Sequence, residues 1–268
     1  MKLTVSTLSC PAWELPRIVQ TAQACGITGI DFRGLGAEID ITRLPLFNEE
    51  LDQTLAFLRA HGIELPCLNT SVTLISPAPE RWSAMLDEAQ RYGRLAERAG
   101  TRLLRIFGGG LPKGMSREEG LIMAQRHLRQ IVKICKAYGC VPILETHDDW
   151  ATSTAVLELL HEFDPADVGV LWDVEHPWRR GESPADTARA LRKFLRHVHV
   201  KDSRGDERLP TLLGEGSLPL ADAAAALRGI EYDSWYCLEC EKRWDEKAPE
   251  PEVSLPQFAT YMRERWNR

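Results

Sequence analysis

Three stretches of the chain end an apolar run in a group that can bind a metal or carry a proton, and a fourth carries such groups at alternate positions of a strand. Val141-Pro142-Ile143-Leu144 runs into Glu145, and Gly169-Val170-Leu171-Trp172 runs into Asp173. His197-Val198-His199-Val200-Lys201 alternates polar and valine positions, and Trp235-Tyr236-Cys237-Leu238 runs into Glu239. Successive stretches lie about one strand-plus-helix repeat apart, roughly 30 residues or more. In a strand, alternate side chains share a face. Glu145 then shares a face with Val141 and Ile143, Asp173 with Gly169 and Leu171, His199 with His197 and Lys201, and Glu239 with Cys237. Crowded without a cation, three carboxylates repel one another and are harder to ionise. A divalent ion removes that conflict, and three oxygen donors with one imidazole suit Mn²⁺, Mg²⁺, Co²⁺ or Zn²⁺. Taken alone, an acidic residue at a strand end is ordinarily a loop cap or an ion-pair partner. The combination of four is far more specific.

The elements that would present these groups follow from hydrophobic periodicity. Strands are expected over 3–8, 28–33, 63–68, 102–107, 141–146, 168–173, 196–201 and 234–239. Helices are expected between them, among them 13–25, 48–61, a long one carrying Trp82 to Ala99, one from Ser116 to Cys135, and 152–163. Further helices begin at Ser183-Pro184, run from 219 to 227 and close the chain from about 252 to 266. Eight strands alternating with eight helices predict an α/β fold, a (β/α)8 TIM barrel forming a single domain over residues 1–268. The rival is a doubly wound open sheet, but no Gly-x-Gly-x-x-Gly turn follows the first strand. In a barrel the site lies at the C-terminal strand ends, where all four candidate ligands fall.

Composition narrows the class. The chain has 268 residues, 44% hydrophobic and 27% charged, ordinary for a globular protein. A net charge of -6 argues against bulk nucleic-acid binding. Seven scattered cysteines do not form a disulfide framework, and a reducing, cytoplasmic setting is expected. The polar N-terminus does not fit a signal peptide, and no apolar run approaches a membrane span.

The motifs Glu145-Thr-His147, Trp172-Asp-Val-Glu-His176, His197-Val-His-Val-Lys-Asp202, Leu213-Gly-Glu-Gly216 and Leu238-Glu-Cys-Glu-Lys-Arg-Trp244 resemble the sugar phosphate isomerase/epimerase superfamily of xylose isomerase-like TIM barrels. That superfamily includes ketose 3-epimerases, inosose isomerases and dehydratases and, more distantly, endonuclease IV. The resemblance implies that Glu145, Asp173, His199 and Glu239 ligate one divalent metal ion, with Glu145 and Glu239 also acting as the acid/base pair. It further implies that His176 and Arg204 contact substrate oxygens. His147, Trp150, Trp178 and Arg179 lie in loops after these strands and are candidates for a substrate wall; Lys201, a further candidate for substrate contact, with Asp202 either orients His199 and the metal-bound oxygen or forms an ordinary ion pair. Arg105, Asp31 and Arg33 either reach the mouth or pair lower in the fold. Gly108-Gly109-Gly110 is read as a turn, and Cys237 and Cys240 as packing residues.

The chemistry expected is proton transfer beside a carbonyl, in a metal-dependent isomerase or epimerase of a sugar, sugar phosphate or cyclitol. A dehydratase of a keto-polyol would use the same groups. An endonuclease IV-like nuclease would need further histidines after the third and fourth strands, and Leu68-Asn69 and Phe107-Gly108 stand there instead. A non-catalytic sugar-binding barrel is the remaining alternative. Relatives of this kind often form dimers or tetramers, so a homo-oligomer fits; no nucleic-acid or membrane partner is expected.

Overall fold

The structure is a computed structural model describing residues 1–205 and 207–266. Its elements begin with β1 (Lys2–Ser6), α1 (Leu15–Ala24), β2 (Gly29–Asp31), α2 (Leu51–Ala60), β3 (Cys67–Thr73), α3 (Pro79–Ala99), β4 (Leu103–Phe107) and α4 (Arg117–Ala137). There follow β5 (Val141–Glu145), α5 (Ser153–Leu160), β6 (Gly169–Asp173), α6 (Glu175–Arg179), α7 (Pro184–Leu191) and β7 (Leu195–Val200). The chain continues through β8 (Asp202–Arg204), β9 (Leu209–Thr211), α8 (Leu220–Gly229), β10 (Trp235–Leu238) and α9 (Pro251–Tyr261). It divides into two compact units, Met1–Pro66 with His197–Arg268, and Cys67–Arg196.

In the first unit the strands run parallel in the order β2, β1, β10, β7. The register sets Thr4 beside Gly29 and Cys237, and Cys237 beside His199. Helix α1 turns Leu15, Ile18, Val19 and Ala22 inward, the spacing of one helical face.

The second unit is built the same way, with β3, β4, β5 and β6 parallel in that order. Cys67, Ile143 and Leu171 pack together, with Leu103 against them. Helix α4 starts at a capping box in which the Ser116 hydroxyl accepts from the Glu119 N–H and Glu119 reaches back to the Ser116 N–H, a device worth about 1 kcal/mol. Its apolar stripe of Ala124, Leu128, Ile131, Val132 and Cys135 is buried, as the sequence spacing predicts.

Four elements differ from expectation, the first being the short helix α6, which carries His176, Trp178 and Arg179 where a loop is expected. The third strand is Cys67–Thr73 rather than 63–68, and residues 63–66 contribute only a single bridge from Glu64 to Gly29. Pro66 has no N–H for a ladder, whereas the β-branched Thr70, Val72 and Thr73 favour extended backbone despite their polarity. The shifted strand still contains no histidine. A short antiparallel hairpin, β8–β9, follows β7. The last helix ends at Tyr261 and passes into a wider π turn over Met262–Trp266. The cysteines are free thiols, and among the described residues no helix is long and apolar enough to cross a membrane.

Candidate active site

In the first unit, β7 turns His197 and His199 to one face and Val198 and Val200 to the other, all buried. Glu239 follows β10, and its N–H donates to the Val200 carbonyl at 3.2 Å, which fixes it beside the end of β7. One carboxylate oxygen lies 3.0 Å from His199 Nδ1, and the other accepts from Lys201 Nζ at 2.8 Å. Burial by itself would raise the Glu239 pKa. The charges of His199 and Lys201, with their hydrogen bonds, outweigh it and hold the carboxyl well below the usual range. The unit therefore carries an ionised glutamate that is only 4% exposed, with a cationic neighbour on one side and an imidazole on the other.

Deeper on the same face, His197 Nε2 donates to Asp31 Oδ2 at 2.6 Å, and the Thr4 hydroxyl donates to Asp31 Oδ1 at 3.1 Å. Asp31 is thus a packed partner below the strand ends. After β7, the buried Asp202 carboxylate accepts four backbone N–H bonds. Oδ1 takes those of Ser203 and Leu218, and Oδ2 those of Gly214 and Gly216, at 2.9 to 3.2 Å. Asp202 organises its loop, a role the sequence reading did not give it. Arg204 lies exposed on β8, where its guanidinium donates to the Glu215 carbonyl at 2.7 Å and pairs with the Glu215 carboxylate at 3.1 Å.

In the second unit, Glu145 ends β5 and Asp173 ends β6, both buried. Arg105, on β4, pairs through Nε with Glu145 at 3.3 Å while its guanidinium stacks 3.9 Å above the Phe107 ring. Asp173 is aligned by its own N–H, which donates to the Thr146 hydroxyl at 3.0 Å. Its Oδ1 accepts from the Glu175 N–H at 2.8 Å. His176 Nε2 lies 3.7 Å from Asp173 Oδ2, and the His176 ring meets His147 edge-on at 4.5 Å. His147 Nδ1 lies 3.0 Å from Asp148. Trp178 is half-buried on α6 under the Arg179 guanidinium, which also pairs with Glu175 at 3.1 Å. Trp150 is fully buried: its indole lies where a Cβ on Gly108 would sit, and the Arg117 guanidinium stacks over its ring at 4.0 Å. That packing accounts for the glycine at 108.

The structure therefore gathers His199, Lys201 and Glu239 in one unit, and Asp173, His176 and His147 in the other. Sequence reasoning left the partners of Asp31, Arg105 and Asp202 open. A buried strand arginine after Leu104 was the available signal for the Glu145 pair, and the glycines at 214 and 216 were the signal for the Asp202 loop.

A family model described as xylose isomerase-like TIM barrel matches residues 19–263. A 3-dehydroshikimate dehydratase of Bacillus anthracis is 27% identical over 193 residues, which span 69% of this chain and 65% of that protein. Among solved structures, the probable 3-DHS dehydratase AsbF involved in petrobactin synthesis from Bacillus anthracis is similar with a TM-score of 0.84 at 21% identity, covering 99% of this chain and 100% of that one. A D-tagatose 3-epimerase-like protein is similar with a TM-score of 0.81 at 17% identity, covering 100% of this chain and 98% of that one.

Proposed function

The chain belongs to the family of xylose isomerase-like TIM barrels, its eight parallel strands being those of a (β/α)8 barrel; from that premise we propose that it is a divalent-metal-dependent enzyme moving a proton next to the carbonyl of a sugar, sugar phosphate or cyclitol. The observation that carries this reading is Glu239, a carboxylate kept ionised inside the protein by Lys201 and His199. Such a group is deprotonated and held in one orientation by its two partners, the state from which a general base accepts a proton.

In this reading Glu145, Asp173, His199 and Glu239 hold the ion. Each is buried at or just past the C-terminal end of a strand, where barrels of this class build their sites, and the donor set of three carboxylates and one imidazole fits a hard or borderline divalent cation. When bound, the ion supplies Lewis-acid stabilisation of negative charge on substrate oxygen. The protein's residues do the rest. One of Glu145 and Glu239 takes the proton from the carbon beside the carbonyl, and the other returns a proton. Return to the opposite face of the same carbon inverts it, and return to the neighbouring carbon exchanges aldose and ketose. Lys201 orients Glu239, and Arg105 orients Glu145. His147, His176 and Trp178 contact the substrate. Arg204 joins them by leaving Glu215, an exposed pair worth no more than about 1 kcal/mol. The single family model spanning both units supports one domain over the whole chain, and we place the enzyme in the cytoplasm as a homo-oligomer.

The similarity to a 3-dehydroshikimate dehydratase favours a second reading. The same base removes the carbon-bound proton, and a β-hydroxyl then leaves as water after protonation by the second glutamate. One experiment separates the two. The Mn²⁺-loaded protein is incubated in D₂O with ketoses, ketose phosphates, inososes and dehydroshikimate, and products are read by NMR and mass spectrometry. Deuterium beside the carbonyl without loss of water establishes the isomerase or epimerase. A product lighter by water establishes the dehydratase, and no exchange with any substrate overturns both.

A further inference from the structure

Four groups in the first unit are absorbed by neither reading as a set: Asp31 on β2, His197 and His199 on β7, and Cys237 on β10. All are fully buried, and one ligand atom from each lies within 4.8 Å of every other. We propose that these four residues form a second metal site, one inward-facing position below Glu239, that takes a thiophilic divalent cation such as zinc or cobalt.

The donor chemistry is that of a closed tetrahedral site, with one thiolate, one carboxylate and two imidazoles. Metal–ligand bonds of about 2.0–2.3 Å place tetrahedral donors roughly 3.3–3.7 Å apart. The cluster closes onto an ion by movements of about an ångström. Asp31 and His197, now 2.6 Å apart, open slightly, while the most separated donors draw in. The Thr4 hydroxyl donates to Asp31 Oδ1, which leaves Oδ2 as the coordinating atom, the outer-shell support typical of a metal carboxylate. The strand register fixes Cys237 directly beside both Thr4 and His199. Charge balances as well: a divalent cation with one thiolate and one carboxylate is neutral, so filling the site buries no net charge. Binding releases the Cys237 thiol proton to solvent, and His197 binds as a neutral imidazole, its ring proton passing to the nitrogen that does not face the ion.

A thiolate separates this site from the carboxylate-rich set proposed for catalysis. Thiolate ligands select zinc and cobalt, whereas carboxylates accept manganese and magnesium. The two sets share His199, so the assignment rests on the catalytic reading only through that ring. An ion in the inner site competes with catalytic metal for the same imidazole.

The test is a Co²⁺ titration of the chelator-treated full-length protein, followed by absorption, with Cys237→Ser and Glu239→Gln in parallel. We expect one equivalent of cobalt to raise a near-ultraviolet thiolate-to-cobalt band. That band disappears in Cys237→Ser and persists in Glu239→Gln. Visible cobalt bands without the thiolate band, no cobalt uptake at all, or a thiolate band that survives Cys237→Ser would each overturn the site. Circular dichroism of metal-free Cys237→Ser checks its fold. If that variant does not fold, anomalous diffraction at the zinc edge from zinc-soaked wild-type crystals decides, since a peak between Asp31 and Cys237 is required. An intact thiolate band with no turnover on any substrate would sink the catalytic reading alone.

Discussion

Glu239 shows how two neighbours decide the state of a buried acid. Without Lys201, the carboxylate keeps only His199 against the cost of its burial. Lys201→Met is therefore expected to destabilise the metal-free protein by about 3 kcal/mol, the usual result of breaking a buried pair, as measured by urea unfolding. Glu239→Gln keeps size and shape while removing the base. Turnover in the D₂O assay should fall about 10²–10⁴-fold while part of the metal affinity remains, and full activity would remove Glu239 from the mechanism. At this scale the sequence was informative about position: Glu145 and Asp173 are legible as buried polar ends of apolar strands, Glu239 as the residue just past one, and His199 by its alternation with Val198 and Val200. Pairing was not legible. His197 and Asp31 are 166 positions apart, and nothing local to either residue announces the other.

The loop between β8 and α8 depends on a single carboxylate. Four N–H groups converge on Asp202, and a Cβ at position 216 would lie 2.0 Å from its Oδ1. Gly216→Ala is expected to expel Asp202 from this arrangement. Limited proteolysis should then cut within 203–218 faster than in the wild type at equal global stability. Asp202→Asn must turn its amide nitrogen toward one pair of donors and so loses two of the four bonds. At about 1–2 kcal/mol in total, amide exchange at the affected pair should rise roughly 5–30-fold. The elements with strong periodicity, α1, α3 and α4, were legible from their apolar stripes. The third strand was misplaced because its sequence, Cys-Leu-Asn-Thr-Ser-Val-Thr, is polar yet buried and β-branched, and hydrophobicity weighs such a run too lightly.

For the molecule as a whole, the alternation of strands and helices was legible and the family model agrees with it, but stability rests on tertiary contacts that no periodicity shows. His127 on α4 is one. Its Nδ1 donates to the Leu74 carbonyl at 2.7 Å, and its ring stacks on Trp82 at 3.7 Å. Burial lowers its pKa below 6.5 despite that hydrogen bond, and nearby Arg126 lowers it further. The unfolded chain therefore takes up this proton first. The contribution of His127 is intact above about pH 6.5 and is lost as pH falls through the lowered value. Melting temperatures measured across that window should decline, and His127→Gln should flatten the decline. Saturating Mn²⁺ should raise the melting temperature in proportion to the logarithm of free metal. The pairing of β1 with β10 has a consequence for synthesis. Lys2 meets Trp235, so the second strand to flank β1 is made last. At about 5–20 residues per second, β1 waits roughly 10–50 seconds on the ribosome with one side of its backbone unsatisfied. A prematurely terminated chain never closes that side. Until β10 is made, that edge of β1 stays open to pairing with another strand.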